Sequence, residues 1–523
     1  MTELSASIPA LLAGTVAAHG SHDAVVDDDG RLSYAELLEQ SREFAAALAA
    51  SGVEPGERVA IWAFNSRRWI VAALGVFHAG AVLVPINTRF KGAEAADILA
   101  RSHARVLVTV TDFLGVDYVE LLAGTELPDL HTVVTAFGPA AGSTLAWDAL
   151  LDRADDAARS SVPIRSAALG PDDPSDILFT SGTTGVPKGV VQTHGRTLCV
   201  ATDWVAMAGL QPGDRYLQVN PYFHMFGLKA GILASVAAGA AMYPMAVFDL
   251  DAALARVAAE RITVFPGAPT IYQSILAHPA RDSVDLSSLR VAVTGAADIP
   301  VELIRRIHTE LPFRTIVSGY GLTEAGTATS TQPGDDVETI ATTDGRPRPG
   351  FELRLVDASG EDVAGGATGE VLLRGPSVLS HYLDDADATA AALSPDGWLR
   401  TGDLGTIDAG GNLHIVGRSK DMFIVGGFNA YPAEIENSLL RHPDIAAVAV
   451  IGIPDERLGE VGMAFVVPRA GSEATEAGII GWAREQMANY KVPRAVAFLD
   501  ALPLNATGKV VKDELRERAA RGR

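Results

Sequence analysis

One local pattern recurs along the chain, an amphipathic helix running into a short strand rich in Val and Ile, and it confines the chain to few folds. Ala93 to Ala100 spaces its apolar residues for a helix and leads into Arg105-Val106-Leu107-Val108-Thr109-Val110. Leu254 to Glu260 leads likewise into Ile262-Thr263-Val264-Phe265, and another apolar run, Leu289 to Thr294, stops at Gly295-Ala296-Ala297. Alternating helices and apolar strands indicate mostly parallel sheets, so the expected fold class is α/β. Ligands of such folds sit beyond the carboxyl ends of the strands.

The texture changes at Gly345. Short alternating strands follow, Glu352-Leu353-Arg354-Leu355-Val356 and Gly369 to Gly375, then a strand-turn-strand around Asp408 to Val416 with its turn at Gly410-Gly411. This reads as a small β subdomain over 345–417 that closes a large N-terminal domain, 1–417. After Gly417 the α/β pattern returns for about 105 residues, enough for a small separate domain, 418–523. The boundary is expected at Arg418 to Lys420. With 523 residues the chain exceeds what one core supports.

Composition excludes several function classes. Lys+Arg 42 against Asp+Glu 64 gives a net charge of −22, a field that repels nucleic acid and anionic lipid surfaces. Phosphate ligands stay admissible, because local amides, a few cations and a metal ion hold them. The lone Cys199 forbids an intrachain disulfide and a cysteine metal cluster, which fits a reducing cytoplasm. Glu3 stands where a signal peptide carries positive charge and Pro9 interrupts the apolar stretch, so no secretion signal is read. Two uncharged runs, Trp69 to Ile86 and Ala230 to Phe248, approach membrane-span length, but each contains Gly-Ala followed by a strand-like stretch and a proline. They read as helix, glycine cap and buried strand, not as membrane spans.

The densest chemistry follows the apolar strand Asp176-Ile177-Leu178-Phe179. It is the loop Thr180-Ser181-Gly182-Thr183-Thr184-Gly185-Val186-Pro187-Lys188-Gly189. Three glycines allow close backbone approach to an anion, four hydroxyls can donate to phosphate oxygens, and Lys188 adds a point charge. Pro187 before the lysine and Gly189 after it distinguish the loop from a Walker-type P-loop.

This loop resembles the signature of the adenylate-forming superfamily, and further segments resemble its other motifs in order over almost the whole chain. The resemblance implies a fold with a large N-terminal domain and a small mobile C-terminal one, and a reaction using ATP and Mg²⁺. Tyr320-Gly321-Leu322-Thr323-Glu324, read as following a Gly-Tyr-Gly turn, implies Thr323 at the α-phosphate and Glu324, with Thr183, at the metal. Gly295-Ala296-Ala297 and Ser318-Gly319-Tyr320 imply an adenine pocket with Tyr320 stacked on the base. Asp403, in Trp398-Leu399-Arg400-Thr401-Gly402-Asp403, and Arg418 imply two ribose contacts, and Lys420 the interdomain hinge. Pro503-Leu504-Asn505-Ala506-Thr507-Gly508-Lys509 resembles the final motif, implying that Lys509 reaches the large domain during adenylation.

Pro221-Tyr222-Phe223-His224-Met225-Phe226-Gly227 resembles the acid:CoA ligase branch. It lacks the aspartate with which amino-acid adenylating domains pair a substrate ammonium, so a fatty or other simple carboxylic acid is implied. His224 reads as a gating or substrate contact, or as a packed core histidine. Tyr222, Phe223, Phe226 and Lys229 are the expected pocket residues; Lys229 either meets a substrate oxygen or faces solvent. Gly426-Gly427-Phe428 through Glu436 resembles the loop that lines the pantetheine tunnel, implying coenzyme A as acceptor. Lys491 and Arg494 are contacts for its phosphates or solvated charges. The phrases Ser175 to Phe179, Pro266 to Gln273 and Phe226-Gly227-Leu228-Lys229-Ala230-Gly231 are similar to an actinobacterial group of ligases acting on the bicyclic propanoate left from steroid rings C and D. A medium-chain fatty acid or aryl acid, a carrier protein as acyl acceptor, an inactive nucleotide-binding regulator and a luciferase-like monooxygenase are the alternatives. The expected partners are the acid, ATP and CoA, without nucleic acid or a membrane span, and a homodimer is the assembly expected.

Overall fold

The computed structural model describes residues 5–140, 142–179 with Thr180, 187–279, 281–295, 301–419, 421–425, 428–455, 457–505 and 509–521, with the backbone alone at 295, 428 and 429. Two large sheets fill the first part of the chain. One runs, in spatial order, His381–Tyr382, Lys188–Thr193, Pro174–Thr180, Val82–Pro85, Arg58–Trp62, Ala104–Val110, Thr132–Phe137 and Leu145–Ala146. Its strands are parallel from Pro174–Thr180 to Leu145–Ala146, as the helix-strand alternation requires, and turn antiparallel at Lys188–Thr193 and His381–Tyr382. The buried rings of Phe44, Trp62, Trp69 and Phe77 fill the core beside it.

The second sheet orders Gly30–Ser33, Asp23–Asp27, Ala241–Pro244 and Arg215–Gln218, and then Val291–Gly295, Thr315–Leu322, Gly326–Ser330 and Arg346–Pro347. A single residue, Val264, bridges the two halves through Tyr216 and Val291. The expected strand Ile262 to Phe265 therefore shrinks to one bridge. Arg261 before it is left-handed at φ 49 and Pro266 after it offers no amide, yet the segment still hydrogen-bonds both halves, Thr263 N–H to the Arg215 carbonyl at 2.9 Å and Phe265 N–H to that of Val291 at 3.0 Å.

The uncharged runs resolve as helix followed by strand. Arg67–His78 precedes Val82–Pro85, and Ala234–Ala238 ends at left-handed Gly239 before Ala241–Pro244. Among the described residues no helix is long and apolar enough to cross a membrane.

Four antiparallel strands, Glu352–Val356, Gly369–Arg374, Leu399–Ile407 and Leu413–Arg418, form a third sheet. Beyond it, Phe428–Ala430, Phe423–Val425, Gly459–Pro468 and Ile445–Asp455 form a fourth, joined by Ala495–Phe498. Phe423, Ile435, Phe465 and Leu515 belong to a separate core drawn entirely from residues after Val416. Chain order thus passes from two α/β sheets through a β sheet to a small α/β unit.

Candidate active site

Strand ends and one short strand bring the singled-out residues together. Pro174–Thr180 folds back on Lys188–Thr193 with Thr180 paired to Lys188, so the glycine-rich segment is the connection of a hairpin at the edge of the parallel strands. Ser181, Gly182, Thr183, Thr184 and Gly185 lie outside the described residues, as do Ala296 and Ala297, Lys420, and Gly426 and Gly427. The hairpin's base is fixed. Arg101 donates to the Pro187 carbonyl at 2.7 Å and lies over the Phe179 ring, while Thr193 caps the helix His194–Ala208 that follows.

Tyr382 links Lys188 to Glu324, and sequence reasoning missed it. Its strand pairs with Lys188–Thr193, placing the ring under the Lys188 ammonium, 5.0 Å from Nζ to the centroid. Its hydroxyl donates to Glu324 Oε1 at 3.0 Å. Burial of the ring, and behind it the charge and bond of Glu324, keep the phenol protonated well past its ordinary range. The short strand His381–Tyr382, next in chain to the helix-forming Asp385 to Ala392, carries no motif that would have announced this contact.

Thr323 and Glu324 occupy the turn between Thr315–Leu322 and Gly326–Ser330. The expected Gly-Tyr-Gly turn before them is instead a strand with a bulge between Tyr320 and Gly321. The glycines serve close backbone approach: a Cβ on Gly319 would stand 2.7 Å from the Thr329 carbonyl oxygen, and one on Gly321 2.4 Å from that of Gly326. Gly295 pairs with Gly319 on the neighbouring parallel strand, and Ser318 and Gly319 lie at that same strand end.

Three predicted nucleotide contacts meet at Asp403. Tyr320 donates its hydroxyl to Oδ2 at 2.6 Å, and Arg418 donates from Nε to Oδ1 at 2.8 Å across the paired strands. Each carboxylate oxygen retains a lone pair, so the site can still accept hydroxyl hydrogens from a ribose.

The acyl-pocket segment divides. Phe226 opens a π-helix, Phe226–Leu233, and packs edge-on against Trp204 at 5.0 Å. His224 Nδ1 accepts the Phe226 N–H at 3.2 Å, which leaves Nε2 as the protonated nitrogen of the neutral ring. Burial, and behind it the positive charge of Lys509, lowers the His224 pKa to about 4, so the ring is neutral near pH 7. Arg89 donates to the Asn505 carbonyl at 3.4 Å, which ties to the large unit the C-terminal segment that carries Lys509. The Lys509 N–H donates to Asn505 Oδ1 at 2.9 Å, and its carbonyl accepts from the Asn505 N–H at 2.8 Å.

Two of the expected pocket residues are buried on protein partners. Tyr222 is 1% exposed and donates to Gln218 Oε1 at 2.5 Å, so it backs the segment from the core. Lys229, also 1% exposed, does not face solvent: its Nζ stands 2.9 Å from Asp176 Oδ2. A buried ammonium needs a counter-charge, and the strand next to it supplies one in Asp176. Phe223 is half-buried.

At the other end, residues 428–430 form a strand and Pro432–Leu439 a helix, so the expected tunnel loop is a hairpin followed by a helix, and of Phe428 only the backbone is described. Lys491 pairs with Glu434 and Arg494 donates to the Asn489 carbonyl at 3.2 Å, so both have protein partners here.

Comparisons with known proteins agree with this geometry. The AMP-binding enzyme family matches residues 12–383, and the AMP-binding enzyme C-terminal domain matches 434–509. The chain is 50% identical over 512 residues to the 3-[(3aS,4S,7aS)-7a-methyl-1,5-dioxo-octahydro-1H-inden-4-yl]propanoyl:CoA ligase of Mycobacterium tuberculosis, with 98% of each chain covered. It is 47% identical over 522 residues to the ligase of the same name from Rhodococcus jostii, with 99% of each covered. The crystal structure of the anthranilate CoA ligase AuaEII in complex with anthranoyl-AMP superposes with a TM-score of 0.89 at 29% identity, covering 99% of this chain and 98% of that one. The chain belongs to the AMP-binding enzyme family and is an ATP-dependent acid:CoA ligase.

Proposed function

We propose that the acid is the bicyclic, steroid-derived propanoate named in its two bacterial relatives, and that the site works in two half-reactions. The observation that carries the choice of acid is identity of 50% and 47% over essentially the whole chain to ligases of that one acid. In the first half-reaction the substrate carboxylate attacks the α-phosphorus of ATP and pyrophosphate leaves. Lys509 and Thr323 stabilise the charge that develops, and Lys188 and the hairpin loop hold the departing phosphates. Tyr320, Asp403 and Arg418 hold adenosine. Glu324 suits a hard cation: one carboxylate beside phosphates and loop hydroxyls, with Thr183, matches the oxygen-rich, partly aqueous coordination of Mg²⁺, which would neutralise phosphate charge there. Phe223, His224 and Phe226 wall the acyl chain, His224 as a neutral ring.

In the second half-reaction the C-terminal unit turns about Lys420, Lys509 withdraws, and the Gly426-Gly427-Phe428 segment comes to the site. The CoA thiol then attacks the acyl carbonyl, and AMP leaves.

AMP release with CoA present, compared across the bicyclic propanoate, medium-chain fatty acids and aryl acids, tests the reading. The highest kcat/KM is expected on the bicyclic acid. A higher value on any fatty or aryl acid overturns the substrate assignment.

A further inference from the structure

The buried pair Lys229–Asp176 has no part in the chemistry above, yet it joins the two halves of the site. Asp176 lies in Pro174–Thr180, the strand that enters the phosphate hairpin, and is fully buried. Its Oδ1 accepts from Thr197 Oγ1 at 2.7 Å and Ser175 Oγ at 2.8 Å, and its Oδ2 faces Lys229 Nζ at 2.9 Å. Lys229 lies in the π-helix Phe226–Leu233, directly after the acyl-pocket segment.

Two dry charges gain little net stability, because their desolvation offsets their attraction and an apolar pair packs as well. What the ion pair does supply is direction. A π-turn holds one more residue than an α-turn and is rare outside functional sites. Two of its carbonyls take side-chain donors: Tyr216 donates to the Ala230 carbonyl at 3.1 Å, and Ser235 bonds back to that of Gly231 at 2.8 Å. Reversion to α geometry would rotate Phe226 and His224 relative to the rest of the helix by roughly 100° per residue slipped. The strand partner is held by sheet pairing on both sides, to Val82–Pro85 and Lys188–Thr193, so a loss of the tie is felt on the helix.

We infer that the Lys229–Asp176 ion pair is a positioning device for the acid: it fixes the register of the π-helix and thereby the acyl-pocket wall at His224 and Phe226. The inference rests on the reading of that segment as the acyl wall.

The test uses the full-length enzyme and the acid from the panel that releases AMP fastest. Lys229→Met with Asp176→Leu replaces the pair by apolar side chains, and Asp176→Asn, which keeps the partners Thr197 and Ser175, serves as the second variant. A single Lys229→Met, which strands a buried carboxylate, lowers Tm by about 5–10 °C, and the double variant recovers most of that loss. In the double variant and in Asp176→Asn the KM for the acid rises by about tenfold or more, while the KM for MgATP stays within twofold. An unchanged acid KM in either folded variant, or an equal rise in both KM values, overturns the inference. Phe226→Ala separates it from the reading beneath: if that variant leaves the acid KM unchanged, the acyl-wall assignment fails and the inference with it. If Phe226→Ala raises the acid KM and the pair variants do not, the inference alone fails.

Discussion

Lys509 and Tyr382 show how differently a single residue can be legible. Lys509 closes the motif Pro503 to Lys509, which identifies it in the sequence, and the fold holds its backbone by hydrogen bonds to the Asn505 side chain and N–H while its charge lowers the His224 pKa. Lys509→Ala should lower pyrophosphate release by on the order of a hundredfold or more, as loss of one preorganised charge at a transition state does. It should still convert preformed acyl-adenylate and CoA to thioester, since the side chain has withdrawn by then. Stopped-flow assays of each half-reaction separate these, and equal losses in both would remove the role. Tyr382 carries no sequence signal, because its importance comes from a two-residue strand pairing with a distant one. Its hydroxyl bonds a carboxylate, a contact worth about 1.5–3 kcal/mol when the acceptor is charged. Tyr382→Phe keeps the ring beneath Lys188 and loses only that bond. We expect MgATP affinity, measured by calorimetry without acid, to weaken by on the order of tenfold, and raised Mg²⁺ to restore part of it. An unchanged affinity would make the tyrosine a packing residue only.

At the scale of elements, the segment from Pro221 to Leu233 concentrates both the constraint and the surprise. A Cβ on Gly227 would stand 2.1 Å from the Pro221 carbonyl oxygen and 2.8 Å from that of Asn220, both backbone atoms that cannot swing aside. Gly227→Ala should therefore destabilise the chain by about 1–3 kcal/mol, the cost of overpacking, and raise the acid KM by shifting the acyl wall. Urea unfolding and initial rates measure the two effects, and wild-type values in both would show that the turn can yield. Helices and parallel strands such as Gly92–Arg101 and Ala104–Val110 were legible because period and burial agree in them. The π-helix was not, since the sequence Phe226 to Leu233 is apolar apart from Lys229 and has no period to distinguish an α-turn from a π-turn. Lys229 misled for a related reason. Its partner Asp176 lies 53 positions earlier, and without the fold a lysine in an apolar run can only be assigned to a ligand or to solvent. The Gly-Tyr-Gly segment misled because glycine serves a turn and a close backbone approach alike, and only the neighbouring strand shows which is needed.

For the whole molecule, the question is how one site serves two reactions. The order of motifs made the large and small units legible, and the small unit has its own core, from Phe423 onward. The chain between them is pinned on both sides. Ser419 donates to the Gly402 carbonyl at 2.9 Å and Arg418 to Asp403, which ties residues before Lys420 to the third sheet. Asp421 accepts from Arg516 at 2.6 Å, which ties the residue after it to the last helix, Lys512–Arg521. A rotation of the small unit that preserves both anchors has only the torsions around Lys420 to use, and a few residues are enough for a hinge. Proline fixes φ near −65° and restricts the residue before it. Lys420→Pro should then leave acyl-adenylate formation within about threefold of wild type while slowing thioester formation by on the order of a hundredfold, the pattern of a blocked conformational step. Single-turnover measurement of each half-reaction decides the matter, with a melting curve to show that the variant is folded. Thioester formation at the wild-type rate would place the pivot elsewhere. Equal slowing of both steps would mean that the position holds the adenylating arrangement together instead of releasing it.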